Sequence, residues 1–265
     1  MNIVTVIQAR TGSSRLPNKV LLPLSGKSLL ERMVERVKWS ELAGKIVVAT
    51  TEEESDNIIE KICKKNNLLL YRGNTQDLLD RHYQAAKLFN AEAVVKIPSD
   101  CPLIDFRIID KVISYFIENS DKYDFVSNLH PATYPDGNDV EIMHFDVLEY
   151  AWKNANRKLE REHTTPYIWE NPDKFRIGNV EWETGLNYSM THRFTIDYPE
   201  DYEFVKLVYD ELYFKNPRFG LIDILDLLES KPELKTINEK YNGVNWYRNH
   251  LDELKTITPD QTKII

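Results

Sequence analysis

The chain has 265 residues, 42% apolar and 29% charged, with 34 Lys and Arg against 42 Asp and Glu for a formal net charge of −8. That balance excludes a disordered chain and a broad phosphate-backbone binder of nucleic acid, and leaves room for a local basic pocket. No apolar run approaches the roughly 18 residues that a membrane span needs, and Cys63 and Cys101 are too few for a disulfide framework or a cysteine zinc site.

Residues 2–7 are apolar, but Arg10 cuts the run and no cleavage site follows, so no signal peptide and a cytoplasmic location are expected. Strand-like runs then alternate with helical periodicity. The runs Ile3–Ile7, Lys45–Thr50, Leu68–Tyr71, Ala93–Ile97 and Asp124–Val126 are separated by helix-like segments near Ser28–Trp39, Ser55–Asn66, Thr75–Phe89 and Asp105–Glu118. Leu29, Leu30, Met33, Val34 and Val37 form a one-sided stripe at helical spacing. This alternation predicts an α/β fold, a mostly parallel sheet with helices on both faces. Ligands bind such sheets at the carboxyl ends of the strands.

From about His130 to Ser189 the alternation weakens and Asn, Pro, Gly, Tyr and Trp accumulate. Val140–Met143 and Phe175–Val180 read as strands and Phe145–Asn156 as a helix. Phe194–Ile196 reads as a strand and Glu200–Tyr213 as a helix. The expected organisation is a domain over residues 1–216 carrying an insertion at 130–190 for acceptor binding and dimerisation. A helical extension over 217–265 follows and fades into a tail.

The first strand runs into QARTGSSRLPNK, Gln8 to Lys19. Between Met1 and Leu30 there are four basic residues and no acidic one. Arg10, Arg15 and Lys19 surround Gly12, Ser13 and Ser14, where small side chains let backbone amides approach an anion and guanidinium groups bind it in bidentate fashion. A basic loop is often only a solvated turn; the position after the first strand and the acid-free surroundings favour a polyphosphate cradle. The loop lacks the three spaced glycines of a dinucleotide fingerprint and the Gly-Lys-Ser/Thr of a Walker A loop.

The fourth strand runs into PSDCPLID. Asp100, just past its end, is a candidate ligand for Mg²⁺, a hard cation that prefers carboxylate and phosphate oxygens; a turn or helix-cap role is the alternative. Asp105 is the expected N-cap of the next helix. THRFTIDYPED places Asp197 at a second strand end and Asp201 in a helix's first turn, where acids favour the dipole. Two strand-end aspartates and a basic loop suit metal-assisted phosphoryl or nucleotidyl transfer.

These residues carry a recognisable pattern. ARTGSSRLPNKVLLPLSGKSLLERMVERV, RGNTQDLLDRHYQAAKLFNAEAVVKIPSDCPLID, YPDGNDVEIM, REHTTPYIWE and HRFTIDYPEDYE resemble the cytidylyltransferases that make CMP-activated acidic sugars, the CMP-Kdo and CMP-sialic acid synthetases. The likeness, over about Met1 to Tyr213, is nearest to the SpsF group of spore-coat polysaccharide biosynthesis. It implies a Rossmann-like nucleotidyltransferase sheet, CTP and Mg²⁺, in-line attack of an acceptor oxygen on the α-phosphorus, and loss of pyrophosphate. By that resemblance Lys19, Arg15 and Asp100 are the catalytic residues. Gln8, Ala9, Arg10, Gly12, Ser13, Arg15, Lys19, Asp80, Ser99 and Asp100 bind the nucleotide, and Asp100 and Asp197 hold the metal. Ser99 stands where the SpsF group has Gly. Asp80 and Arg81 either line the nucleotide site or form a helix-end salt bridge. A homodimer is expected, as in related synthetases.

The acceptor is expected against the irregular region, at Asp136, Asn138, Asp139 and Glu141 and at Arg161, Glu162 and His163. Asp139 and Glu141 alternate along a strand and share a face. His163, with an ordinary imidazole pKa, is a candidate base or acceptor ligand; a core contact is the alternative. Tyr134, Tyr167 and Trp169 read as packing, and His82, His130, His144, His192 and His250 show no zinc spacing. Two other functions compete: a metal-dependent nucleotide-sugar glycosyltransferase, whose Asp-x-Asp motif is missing here, and a non-catalytic nucleotide-binding protein.

Overall fold

The computed structural model describes residues 1–265. Strands β1 (Ile3–Gln8), β2 (Lys45–Thr51), β3 (Leu69–Gly73) and β4 (Ala93–Pro98) lie parallel, in the order β3-β2-β1-β4. Strands β5 (Phe125–Ser127), β6 (Glu141–His144) and β7 (Ile177–Asn179) extend the sheet beyond β4 in the order β6-β5-β7. Only β6 runs against the rest.

The helices are α1 (Leu29–Val37), α2 (Asn57–Lys65), α3 (Leu78–Leu88), α4 (Phe106–Glu118), α5 (Phe145–Asn154), α6 (Lys158–His163), α7 (Pro166–Trp169), α8 (Pro199–Leu212), α9 (Leu221–Ser230) and α10 (Glu233–Thr236). Strand β1 explains why they cover both faces. Its successive side chains point to opposite sides and are all buried from Ile3 to Ile7, so each face demands a partner. Ile3 and Ile7 pack with the apolar sides of α1, α4, α8 and α9. Val4 and Val6 pack with Leu79 and Tyr83 of α3 and with α5 and α7.

The helix starts follow cap chemistry. Ser28 and Glu31 form a reciprocal capping box at α1. Asp105 caps α4 by accepting from the Arg107 amide at 2.9 Å, as its position predicts. It also accepts from the Leu221 amide at 2.7 Å, so one carboxylate holds the first turns of both α4 and α9.

Two strand expectations change. Phe194–Ile196 is not a strand: the Phe194 amide donates to the Asp136 carbonyl at 2.7 Å and the Ile196 amide to the Asp100 carbonyl at 2.8 Å. These two amides are spent on loops and the segment makes no more than an isolated bridge, Asp136 with Arg193, in place of a ladder. Phe175–Val180 shortens to β7, Ile177–Asn179. Beyond α10 the chain forms 3₁₀ turns at Glu239–Tyr241, Trp246–Asn249 and Pro259–Gln261 and runs back against α7. Glu170 accepts from the amides of Lys255 and Thr256 at 2.7 and 2.8 Å, and Leu254 and Ile257 are buried.

Candidate active site

The carboxyl ends of β1, β2 and β4 share one rim of the sheet. The loop leaving β1 is pinned there by Asp56, which follows β2. Its Oδ1 accepts from the Thr11 amide at 2.8 Å and from the Thr11 hydroxyl at 2.7 Å, while Thr51 bonds Oδ2. Burial pushes the Asp56 carboxyl up, but these donors outweigh it and hold it below its usual range. The Asn18 amide closes the loop onto the Thr11 carbonyl at 2.9 Å, with Asn18 itself left-handed at φ 60°. The amides of Gly12 and Ser14 are left without a backbone partner. Lys19 then enters a buried position at the start of a short 3₁₀ turn.

Lys19 Nζ donates to Asp100 Oδ2 at 2.7 Å, to Asp197 Oδ1 at 3.1 Å and to the Ile196 carbonyl at 2.7 Å. Arg15 Nη2 donates to Asp197 Oδ1 at 2.6 Å. Two acids almost a hundred residues apart in sequence therefore meet on one ammonium. Burial alone would lower the Lys19 pKa; attraction to Asp100 and Asp197 reverses this and raises it. Burial likewise pushes Asp197 up, but Lys19, Arg15 and Arg193 together bring its pKa below the usual carboxylate range. The lysine and Asp197 are both charged at neutral pH.

Around this rim lies a cavity of about 1030 Å³. Among the expected nucleotide residues, Gln8, Ala9, Arg10, Ser13, Arg15, Lys19, Ser99 and Asp100 line it, and Asp197 does too. On the other side it is lined by Asp136, Asn138, Asp139, Glu141, Glu162 and His163. Three expected residues lie elsewhere. Gly12 sits on the outer side of the loop, exposed, with open space where a Cβ would be. Asp80 turns toward α5, accepting from Trp152 Nε1 at 2.8 Å and from Gln84 Nε2 at 3.1 Å. Arg161 ties α6 to the start of α3 by donating from Nε and Nη2 to Asp77 Oδ2 at 2.8 and 2.5 Å, which leaves its guanidinium committed away from the cavity. One position further round α3, Arg81 does line the cavity; it is 3% exposed, and its Nε and Nη1 meet no acceptor. Burial, aided by nearby Arg10, pushes its pKa down to about 10, so it stays cationic at neutral pH.

The acids on that other side of the cavity differ in their partners. Glu141 pairs with Lys96 and accepts from the Thr165 hydroxyl at 2.6 Å. Asp136 pairs with Arg193 at 3.1 Å. Asp139 receives only the Gly137 amide at 3.3 Å, and burial raises its pKa to about 6. Asn138 is buried and structural, accepting from the Asp105 amide at 3.1 Å and donating to the Pro135 carbonyl at 3.2 Å. His163 departs from the near-neutral pKa expected of it: burial brings it to about 3, and its ring stacks on Trp246 at 3.8 Å. It is a neutral ring and a poor base at physiological pH.

Arg193 is the residue that sequence reasoning missed. Its side chain is 1% exposed and joins Asp136, Asp197 at 3.0 Å and Asp201 at 2.9 Å, and it donates to the Val244 carbonyl at 2.6 Å. The available signal was a lone cation inside the apolar run HRFTI, flanked at i+4 and i+8 by acids. The cavity-lining residues of the C-terminal segment had no comparable signal.

Residues 4–219 match the family model described as cytidylyltransferase. The chain is 40% identical over 240 residues to an uncharacterized protein of Methanocaldococcus jannaschii, covering 90% of this chain and 95% of that one. It is 30% identical over 243 residues to the spore coat polysaccharide biosynthesis protein SpsF of Bacillus subtilis, covering 90% and 98%. The solved structure of a cytidylyltransferase from Leptospira borgpetersenii serovar Hardjo-bovis superposes with a TM-score of 0.83 at 36% identity, over 88% of this chain and 96% of that one. The matched stretch contains the basic loop, both rim aspartates and the sheet that brings them together, and on that ground the chain belongs to the cytidylyltransferase family and is a nucleotidyltransferase.

Proposed function

We propose that this protein transfers CMP from CTP to an oxygen of a sugar acid or related acceptor, with release of pyrophosphate, in the cytoplasmic supply of a cell-surface polysaccharide. The observation that carries the reading is the single ammonium of Lys19 bridging Asp100 and Asp197 beside Arg15, at the floor of a cavity large enough for a nucleotide and a second molecule. In this reading Arg10, Arg15 and Lys19, with the free amide of Ser14, bind the triphosphate. Lys19 and Arg15 face the charge that develops as the acceptor oxygen bonds to the α-phosphorus and the bond to pyrophosphate breaks. The irregular region at 130–190 holds the acceptor and forms a homodimer surface.

Asp100 and Asp197 fit Mg²⁺. They offer oxygen donors only, and the site already accommodates positive charge between them. No group of three or more His, Cys, Asp and Glu side chains converges here, so phosphate oxygens and water would complete the coordination. When bound, such an ion neutralises and orients phosphate oxygens. The chain's own part is to hold the two carboxylates in place, through Lys19 on one side and Arg193 on the other.

The test is a pyrophosphate-release screen of the nucleoside triphosphates, with and without Mg²⁺, against Kdo, a nonulosonic acid, and phosphorylated and phosphonate compounds. Release that requires CTP, the metal and one acceptor is expected. Release with another triphosphate in preference to CTP, or glycosyl transfer from a nucleotide sugar without pyrophosphate, would refute the proposal.

A further inference from the structure

The family match ends at residue 219, yet the segment that follows α10 contributes much of the cavity wall. Within it, the turn Trp246–Asn249 is fixed from three directions. Asn245 accepts from the Tyr247 amide at 3.1 Å and donates to the Gln261 carbonyl at 2.8 Å, and Trp246 stacks on His163. Arg193 donates to the Val244 carbonyl just before the turn. Arg248 is thereby carried to the catalytic rim. Its Nη2 donates to the Tyr198 hydroxyl at 3.1 Å, and Tyr198 directly follows Asp197.

The cations near Arg248 are paired with acids, whereas its own charge is unspent. The Arg15 and Arg193 guanidinium carbons lie 5.7 and 5.9 Å from the centre of the same Tyr198 ring. Asp197, the nearby rim acid, is already engaged by Arg15, Lys19 and Arg193. Arg248 makes no ion pair, and its Nη1 is shielded from solvent without any hydrogen-bond partner. A shielded guanidinium donor without an acceptor is costly to leave unmade, and an unpaired guanidinium lining the cavity, with Arg15 and Lys19 also on its wall, matches an oxyanion rather than a neutral sugar.

We infer that Arg248 binds the triphosphate, as a cation supplied to the phosphate cradle by the C-terminal segment. The inference rests on the nucleotidyl-transfer reading of the cavity, but its test does not need the acceptor. Calorimetric binding of inorganic pyrophosphate, CTP and CMP is compared for the full chain, Arg248→Gln and Arg248→Lys, with circular dichroism and melting to show that each variant is folded. Loss of charge-assisted hydrogen bonds should weaken pyrophosphate and CTP binding by about tenfold to a hundredfold in the Gln variant. CMP should bind as before, and Lys should recover part of the loss. Unchanged pyrophosphate and CTP affinities would overturn the inference and leave Arg248 to the acceptor side. An equal loss for CMP would also overturn it, since that marks a general distortion. If the unaltered protein binds pyrophosphate but not CTP, the nucleotidyl-transfer reading fails while Arg248 is still judged on pyrophosphate. If it binds neither, both fail.

Discussion

Replacing Arg193 with Met tests whether the buried charge hub holds the two halves of the site together. Met fills much of the volume but removes every hydrogen bond to Asp136, Asp197 and Asp201 and the one to the Val244 carbonyl. Asp197 retains Arg15 and Lys19. Asp201 is fully buried and keeps only neutral donors, the amides of Asp197 and Tyr198 and the Asn238 side chain. Asp136 loses its only ion-pair partner. Leaving one member of a buried pair behind costs about 3–5 kcal/mol, which for a chain of this size corresponds to a melting point lower by roughly 6–20 °C. Melting followed by circular dichroism at neutral pH, without ligands, measures it. Lys206→Met is the control, because the Lys206–Asp210 pair is exposed and its loss should leave the melting point in place. If Arg193→Met melts like the unaltered protein, the three acids are solvated or protonated and the hub does not couple the two halves.

Four further outcomes follow from the same geometry. Lys19→Met should slow pyrophosphate release by a factor on the order of 10² to 10³ at a temperature where the variant is still folded, and should also lower the melting point, because Asp100 loses its ion-pair partner while Asp197 keeps Arg15 and Arg193; turnover measured on the folded variant decides, and an undiminished rate refutes its role. Asp100→Asn and Asp197→Asn should each abolish Mg²⁺-dependent turnover in a folded protein, and full activity in either would remove that carboxylate from the metal site. Asp105→Ala removes the cap of two helices at once, so its stability loss should reach or exceed the upper part of the usual range, about 2 kcal/mol; a loss in urea unfolding of only about 1 kcal/mol, typical of one cap, would show that the Leu221 contact adds nothing. The Asp139 carboxyl is raised to about 6 by burial among Asp100 and Glu141, with Lys96 opposing. The folded state therefore binds this proton more tightly than the unfolded state, and stability is lost as pH rises through about 6. Asp139→Asn should accordingly melt higher than the unaltered protein at pH 8 and no higher at pH 4; the reverse order would contradict the assignment.

Much of this architecture was legible because its signals are local. The β-branched run at Ile3–Ile7, the stripe from Leu29 to Val37 and the cap at Asp105 each act within a few residues. Asp100 and Asp197 were visible because acids at the ends of strand-like runs fall on the ligand-binding rim of a parallel sheet. What failed depended on direction or on distance. Asp80 and Arg81 are neighbours in sequence, but a step along a helix turns a side chain by more than a quarter of a circle, and only Arg81 reaches the cavity. Arg161 looked available until Asp77, on another helix, claimed it. The run Phe194–Ile196 has strand composition, but its backbone partners are loops that no periodicity records. His163 kept its place on the cavity and lost its basicity, because burial under Trp246 appears only when residues 83 positions apart are brought together.

The distribution of charge at the rim accounts for how such a site is built before any substrate arrives. A loop carrying Arg10, Arg15 and Lys19 repels itself, and long basic side chains left in solvent would sample many rotamers, at an entropic cost on binding. Asp197 removes that difficulty for two of the three, holding Arg15 and Lys19 at hydrogen-bond distance, while Asp100 fixes Lys19 from a second direction. Asp197 is itself held from behind by Arg193, which is anchored in Asp201 at the first turn of α8. Arg15 and Lys19 thus rest on acids, and the acid they share rests on a buried cation whose position is set by a helix. An incoming anion meets charges already oriented, which is the condition under which electrostatic stabilisation of a transition state is strongest. Arg193 also reaches Asp136 and the backbone at Val244, so the same guanidinium that steadies Asp197 contacts both the loop carrying Asp136 and the segment carrying Arg248.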